Sequence, residues 1–131
     1  MLTGFEPLTI ASGGMRMTVT RNGVSFSKGA VEKLHGTGYV QPMIDRAGKR
    51  FAIVACGEDA ENAKKFFRGG DISDGVRWNE RDLITTFSVL VGKDLENEGV
   101  TVDGVYLEED DALIFDFNNA RASRKPREKK G

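Results

Sequence analysis

The sequence predicts an α+β fold in which antiparallel β-hairpins pack with two to three helices, in the order ββαββααββ and in two layers. Three observations support this prediction. The Asn22-Gly23 pair separates two short segments rich in β-branched and aromatic residues, which is typical of a tight hairpin. Residues 51–56 form an uninterrupted apolar run, as in a strand buried on both faces. In residues 83–91 apolar side chains recur at helical spacing, and a sheet is the simplest cover for them.

The first hairpin leads directly into a short helix. Apolar side chains alternate with polar ones on both sides of the Asn-Gly turn, as in two paired strands. The hydroxyl of Ser27 can accept from the free amides of a first helical turn, so we predict a helix over residues 28–34, ended by Gly36. A second hairpin is predicted over residues 39–56, around a polar turn at residues 45–49.

These elements carry a family resemblance. The segment from Thr18 to Leu34, followed by the hairpin that ends with Phe51-Ala-Ile-Val54, resembles the AbrB or SpoVT-type swapped-hairpin domain. In that family two chains interleave hairpins into one barrel, and basic residues on it contact DNA. The resemblance covers residues 15–56 and implies a swapped-hairpin, barrel-like homodimer. Ser27 stands where the family usually has Pro, and Gly29 weakens the helix that follows.

The second half of the chain is predicted to hold two helices and a third hairpin. Apolar residues three and four apart predict a helix over residues 59–67, ended by a Gly-Gly pair. A short strand follows at residues 76–78, and the strongest helix begins at Asn79 and closes at Gly92. Strands at residues 100–107 and 112–117 enclose an acidic turn at residues 108–111.

Composition and charge together divide the chain into distinct parts. Residues 1–14 are expected to be a loose leader, residues 15–120 a single domain, and residues 121–131 a disordered basic tail. Within the domain, residues 15–56 are a basic hairpin module with seven Lys or Arg against two acids, a net of +5. Residues 57–120 are an acidic helical and hairpin half with six basic residues against sixteen acids, a net of −10. Such a chain can offer surfaces of opposite sign to different partners.

The sequence offers no catalytic, cofactor or metal constellation. His35 is the only histidine, and its place at a helix end is explained by the helix dipole. Cys56 has no second cysteine and is expected to be a buried structural thiol. The acidic turn lacks the ligand spacing of a calcium loop and is expected to be a solvated turn. We therefore predict a protein that is not an enzyme and uses no cofactor.

The leading functional prediction is a small DNA-binding regulator of transcription. Cations at strand ends and turns of the basic module can reach phosphates, and the candidate residues are Arg16, Arg21, Lys28, Arg46, Lys49 and Arg50. The alternative is a protein-binding accessory or inhibitor, for example of phage or mobile-element type. Its acidic half would occupy a basic cleft on a nucleic-acid enzyme. The lone cysteine and the absence of a membrane-length apolar run lead us to expect a cytoplasmic protein with no membrane partner.

Overall fold

The computed structural model describes Thr3, residues 14–71 and residues 74–122, and these residues form mostly antiparallel β-structure. The strands are β1 (Arg16–Thr20), β2 (Gly23–Phe26), β3 (Tyr39–Asp45), β4 (Arg50–Cys56), β5 (Lys64–Lys65), β6 (Val76–Trp78), β7 (Val100–Leu107), β8 (Ala112–Asp116) and β9 (Arg121–Ala122). The helices are α1 (Lys28–Lys33) and α2 (Arg81–Val91), and a 3-10 turn spans Phe117–Asn119.

In the part of the chain that the structure describes, the nine strands belong to one sheet, in the order β5-β3-β4-β8-β7-β1-β2-β6, with β9 paired to β7 off this path. The long strand β7 connects the two halves of the sheet. Its residues 100–103 pair with β1, whereas residues 104–107 pair with β8. Gly104 stands at the change of partner, where its N–H donates to the carbonyl of Met15 at 2.6 Å. The sheet can therefore bend at this residue into a half-barrel.

Trp78 joins the two outermost strands of the sheet. It lies on β6, and its indole Nε1–H donates to the carbonyl oxygen of Lys65 on β5 at 3.0 Å. The Nζ of Lys64 lies 5.0 Å from the centre of the same ring and 2.7 Å from a carboxylate oxygen of Glu80. Side chains, not a backbone ladder, thus bring the ends of the curved sheet together.

The core fills the inside of this curved sheet. Phe26 is at its centre, with ring centroids of Phe66, Trp78 and Phe115 at 4.9–5.9 Å. Helix α2 adds Phe87, whose ring contacts those of two further buried phenylalanines, Phe51 and Phe117, at 4.9 Å each. No polar or charged side chain is buried among the residues that the structure describes. The core of the described residues is therefore apolar, and any polar functional group lies at the surface.

The predicted α+β class, with two to three helices packed on hairpins in two layers, is wrong. The residues that the structure describes form a mostly antiparallel sheet, curved into a half-barrel, with two short helices. The predicted helix over residues 59–67 is absent: residues 57–63 form turns, Asn62 has a φ of 61°, and β5 follows. Pairing of β5 with β3 lets Phe66 enter the core, and this long-range packing outweighs the local helical spacing.

Several local predictions are confirmed. β1 and β2 form the Asn-Gly hairpin, β3 and β4 form the second hairpin, and β7 and β8 form the third. Ser27 caps α1 by accepting from the N–H of Ala30 at 3.4 Å. Helix α2 begins at Arg81, two residues later than expected, and ends at Gly92 with a φ of 71°. The first two hairpins do not pair with each other within the chain, because β7 and β8 lie between them.

The ends of the chain are described only in part. Apart from Thr3 and Gly14, the predicted leader lies outside the described residues, as do residues 123–131 of the predicted tail. Arg121 and Ala122, assigned to that tail by sequence, form β9. Within the described ranges, neither helix is long and apolar enough to cross a bilayer.

Candidate nucleic-acid interface

One half of the sheet presents a polar and cationic outer surface. Along β1, Met17 and Val19 point into the core, so Arg16 and Thr18 point outward. The same alternation applies on the neighbouring strands. We call this surface the cationic face, and its residues are Arg16, Thr18, Ser25, Arg77, Thr101, Asp103 and Arg121, with Lys28 and Asp74 at its rim.

The strand register places five of these side chains in a single row. In spatial order they are Arg77, Ser25, Thr18, Thr101 and Arg121. Four inter-strand spacings of about 4.8 Å carry the row across about 19 Å. The hydroxyl oxygens of Thr18 and Thr101 lie 3.4 Å apart at its middle. Guanidinium and hydroxyl groups are both donors to phosphate oxygens, so the row can meet several phosphates at once.

Three cations converge at one end of the cationic face. Arg16, Lys28 and Arg77 line a shallow cavity of about 270 Å³, together with Asp74 and the hydroxyls of the two strands. The cavity lies where the start of α1 adjoins β1, β2 and β6. Ser27 fixes this junction, because its Oγ accepts from the N–H of Arg16 at 2.9 Å and donates to the carbonyl of Gly14 at 2.9 Å. Lys28 is thereby held beside Arg16.

The other end of the cationic face is organised by an ion pair. Arg121 donates to both carboxylate oxygens of Asp103, at 2.7 and 3.2 Å. This donation, supported by the charges of Arg121 and Arg16, holds the pKa of Asp103 below its usual value. The face carries four cations against the carboxylates of Asp74 and Asp103, which leaves a net charge of +2.

Only part of the predicted site lies on this face. Arg16 and Lys28 belong to it, and Lys49 lines a neighbouring cavity of about 290 Å³ that Arg121 also lines. Arg21 lies in the β1–β2 turn, where its Nη2 donates to Oδ1 of Asn97 at 3.4 Å. The structure therefore does not bring the six predicted cations onto one surface.

The remaining predicted cations, Arg46 and Arg50, lie with Lys49 at the turn end of the β3–β4 hairpin. Arg46 is exposed there. Arg50 forms an ion pair with Asp45 at 2.6 Å. The pKa of Asp45 is lowered, first by the N–H of Gly48 and then by Arg50. Arg50 is thus held by its own hairpin, whereas Arg46 and Lys49 form no ion pair with any residue that the structure describes.

Sequence reasoning missed Arg77 and Arg121. Alternation in Val76-Arg77-Trp78 was a usable signal, because it points the arginine away from the core. Nothing local marks Arg121, since a strand of two residues has no periodicity. Both arginines become neighbours of Arg16 only through pairing between distant strands.

The lone cysteine and histidine are not among the residues of the cationic face. Cys56 ends β4 on the outer surface and is half-buried, so the expectation of a buried thiol is wrong. His35 is exposed just after α1, with a φ of 58°. Among residues 14–71 and 74–122, no three His, Cys, Asp or Glu side chains are grouped so that they could hold a metal ion.

Comparisons with family models, with curated proteins and with solved structures give no match for this chain. The AbrB-type resemblance of residues 15–56 is neither supported nor opposed by them. Any functional assignment therefore depends on the geometry of the surfaces described above.

Proposed function

We propose that this protein is a small, non-enzymatic DNA-binding regulator that contacts phosphates through its cationic face. The observation that carries the proposal is the row from Arg77 to Arg121, with Arg16 and Lys28 beside it. The proposal keeps DNA as the partner expected from the basic module. It moves the contact surface from the hairpin turns to the outer side of β6, β2, β1, β7 and β9.

The physical basis is electrostatic positioning. Each phosphate neutralised by an arginine or lysine releases condensed counterions, which favours binding at low salt without regard to sequence. Threonine and serine hydroxyls add neutral hydrogen bonds that fix the orientation of the backbone on the sheet. Sequence preference would then come from groove shape, because phosphate contacts alone carry no sequence information.

The test is duplex DNA binding measured by fluorescence anisotropy over a range of salt concentrations. We expect Arg77→Ala combined with Lys28→Ala to weaken binding about tenfold or more, and to reduce the log–log salt slope by about 1.8 if two phosphate contacts are lost. Both side chains are exposed, so the fold should tolerate the change.

A matched control removes the same charge elsewhere. Arg81 and Lys65 are exposed cations outside the cationic face, and their joint replacement by Ala should leave the salt slope unchanged. Equal effects of the two double variants would show that net charge alone governs binding. Absence of binding by the native chain at low salt would remove the proposal.

A second candidate function has its own observation. Exposed acids of residues 58–61 and of residues 108–110 lie at the same end of the β4–β8 pair, where the N–H of Ala55 donates to the carbonyl of Asp111 at 2.9 Å. This acidic end suits an accessory or inhibitor that occupies a basic cleft on a nucleic-acid enzyme. Affinity capture with the native chain and with Glu108→Lys/Glu109→Lys/Asp110→Lys, followed by mass spectrometry, tests it. A basic nucleic-acid enzyme should be captured by the native chain only.

The proposed compartment is the cytoplasm. A single cysteine can form no disulfide within the chain, which suits a reducing environment, and a DNA-binding regulator would meet its target there. Localisation of a fluorescently tagged chain checks this part of the proposal.

A further inference from the structure

The other half of the sheet presents an apolar outer surface, in contrast to the cationic face. It is formed by β3, β4, β8 and the second half of β7. We call it the apolar face, and its apolar outward side chains are Met43, Ala52, Val54, Val105, Leu107 and Ile114, with the polar Gln41 opposite Val54 on β3. Met43 is 53% exposed, Val105 60% and Leu107 38%. Large apolar side chains that adjoin one another at such exposure usually mark an interaction surface.

The register makes this surface continuous. Met43, Ala52, Ile114 and Val105 stand opposite one another on four successive strands, so they form one apolar row across the sheet. A second row contains Val54 and Leu107. A shallow hollow of about 220 Å³ opens beside Met43 and Ile114. A flat partner surface with apolar side chains could fill it.

Opposite charges lie at the two ends of the apolar face. The turn of residues 45–50, here called the basic turn, has three cations and Asp45, a net of +2. Asp116, opposite Arg50 on β8, adjoins this turn and lowers the net charge of this end of the face to +1. The turn of residues 108–111, here called the acidic turn, carries four carboxylates. Because β4 and β8 are antiparallel, with Arg50 opposite Asp116 and Val54 opposite Ala112, the two turns lie at opposite ends of the strands.

We infer that the apolar face binds a second copy of this chain, face to face. The two-fold axis of this dimer lies in the plane of the interface and is perpendicular to the strands. Such an axis places the basic turn of one protomer over the acidic turn of its partner, twice in each dimer. A two-fold axis parallel to the strands would instead place like charges together. Charge complementarity therefore selects both the partner and its orientation.

This dimer is independent of the proposed DNA-binding function, because the cationic face is not part of it. It also differs from the interleaved dimer that the AbrB-type resemblance implies. Each protomer keeps its own hairpins, and only preformed surfaces meet. The apolar face is small for a protein–protein interface, so we expect the dimer to have a dissociation constant in the micromolar range.

The first test measures the molar mass of the full-length chain by sedimentation equilibrium over a range of concentrations up to about 100 µM, where a micromolar dimer is well populated. The native chain should approach twice 14.4 kDa. Met43→Glu/Val105→Glu should remain at 14.4 kDa, since each protomer would then bury two charges, one at each end of the apolar row. The control Val89→Glu, at a 72% exposed position on α2, should still dimerise. A native monomer at the highest concentration overturns the inference, whatever else covers the face.

The second test exchanges charges and does not depend on the apolar variants. Arg46→Glu/Lys49→Glu and Glu108→Lys/Glu109→Lys/Asp110→Lys should each raise the dissociation constant about tenfold or more, because like charges then meet at both ends. An equimolar mixture of the two variants should form a heterodimer with affinity near that of the native chain, since each turn again meets its opposite. The mixture should also lose affinity as salt is raised. A mixture that dimerises no better than either variant alone overturns the proposed orientation.

Discussion

Gly104 is the residue at which β7 changes partner, and its missing side chain allows the change. A Cβ atom there would lie 2.7 Å from Cε1 of the buried Phe115 ring and 3.3 Å from the carbonyl oxygen of Met15. We expect Gly104→Ala to reduce the free energy of unfolding by about 1–3 kcal/mol, because the packed ring must shift. Urea titration measures the loss. Gly57→Ala is the control, since a Cβ at Gly57 meets nothing within 4 Å, and an equal loss there would contradict this account.

The structure also explains why position 29 is a glycine. The sequence marks it as a weakness in α1, but a Cβ at this position would collide with the carbonyl oxygen of Gly14. That carbonyl accepts from the hydroxyl of Ser27, which caps the same helix. The glycine thus lowers helix propensity and in return allows α1 to approach the start of β1 closely.

The ion pair between Asp103 and Arg121 predicts a pH dependence for β9. Because the pKa of Asp103 is lowered in the folded protein, chiefly by donation from Arg121, the pair contributes its stabilisation above the unfolded pKa of about 3.9. This contribution is lost as the pH falls through the lower folded value. We expect the backbone amide signals of Arg121 and Ala122 to shift in NMR spectra below about pH 4. In Asp103→Asn this pH-dependent shift should disappear, and its persistence would mean that another group titrates.

At the scale of elements, Trp78 is the contact that joins β6 to β5. We expect Trp78→Phe to lower the free energy of unfolding by about 1–3 kcal/mol, because the carbonyl of Lys65 loses its donor and the core loses ring volume. Hydrogen exchange should locate the effect at the Phe66 amide, which donates to Gly38 beside β5.

A second aromatic variant controls for the loss of a polar hydrogen bond. Tyr106→Phe removes a hydroxyl that donates to Oδ1 of Asp111 at 2.7 Å, far from the join between β5 and β6 along the sheet. Its effect on the Phe66 amide should be negligible. If Trp78→Phe leaves this amide equally protected, the indole does not hold the sheet ends together.

The helix predicted over residues 59–67 shows why helical spacing alone was insufficient. Ala60 and Ala63 satisfy the pattern but are small and only half-buried, so a helix face built from them would bury little apolar surface. Phe66 gains full burial when β5 pairs with β3, a partner that lies more than twenty residues away in the chain. The helix prediction for α2 was correct because its apolar residues Ile84, Phe87 and Leu90 are each buried in the core.

At the scale of the whole molecule, the curved sheet has two outer surfaces of different chemistry, and β7 belongs to both. If the cationic face binds DNA and the apolar face binds a second copy, one dimer engages DNA through two cationic faces. We expect Met43→Glu/Val105→Glu to reduce the log–log salt slope of DNA binding to about half, because each bound unit then neutralises about half as many phosphates. A slope equal to that of the native chain would mean that only one face of the dimer contacts DNA.

For the candidate interface, the sequence predicts the direction of single side chains but not which of them lie together on one surface. The outward direction of Arg16 and Arg77 follows from alternation within β1 and β6, which is local information. Their convergence on one cavity depends on the pairing of β2 with both strands. Arg46 and Arg50 looked equivalent to Arg16 in the sequence, yet the structure places them at the far turn of another hairpin.

By itself, the sequence determined the three hairpins, the capped helix α1 and the amphipathic helix α2, because turn residues, caps and periodicity act between residues close together in the chain. Only the tertiary structure decided that the strands form one curved sheet, that β5 replaces a helix, and that Arg77 and Arg121 join Arg16 on one face. The physical reason is that strand pairing is cooperative over long separations: the choice of partner depends on which arrangement buries Phe26, Phe66, Trp78 and Phe115 together, and no short segment contains that information.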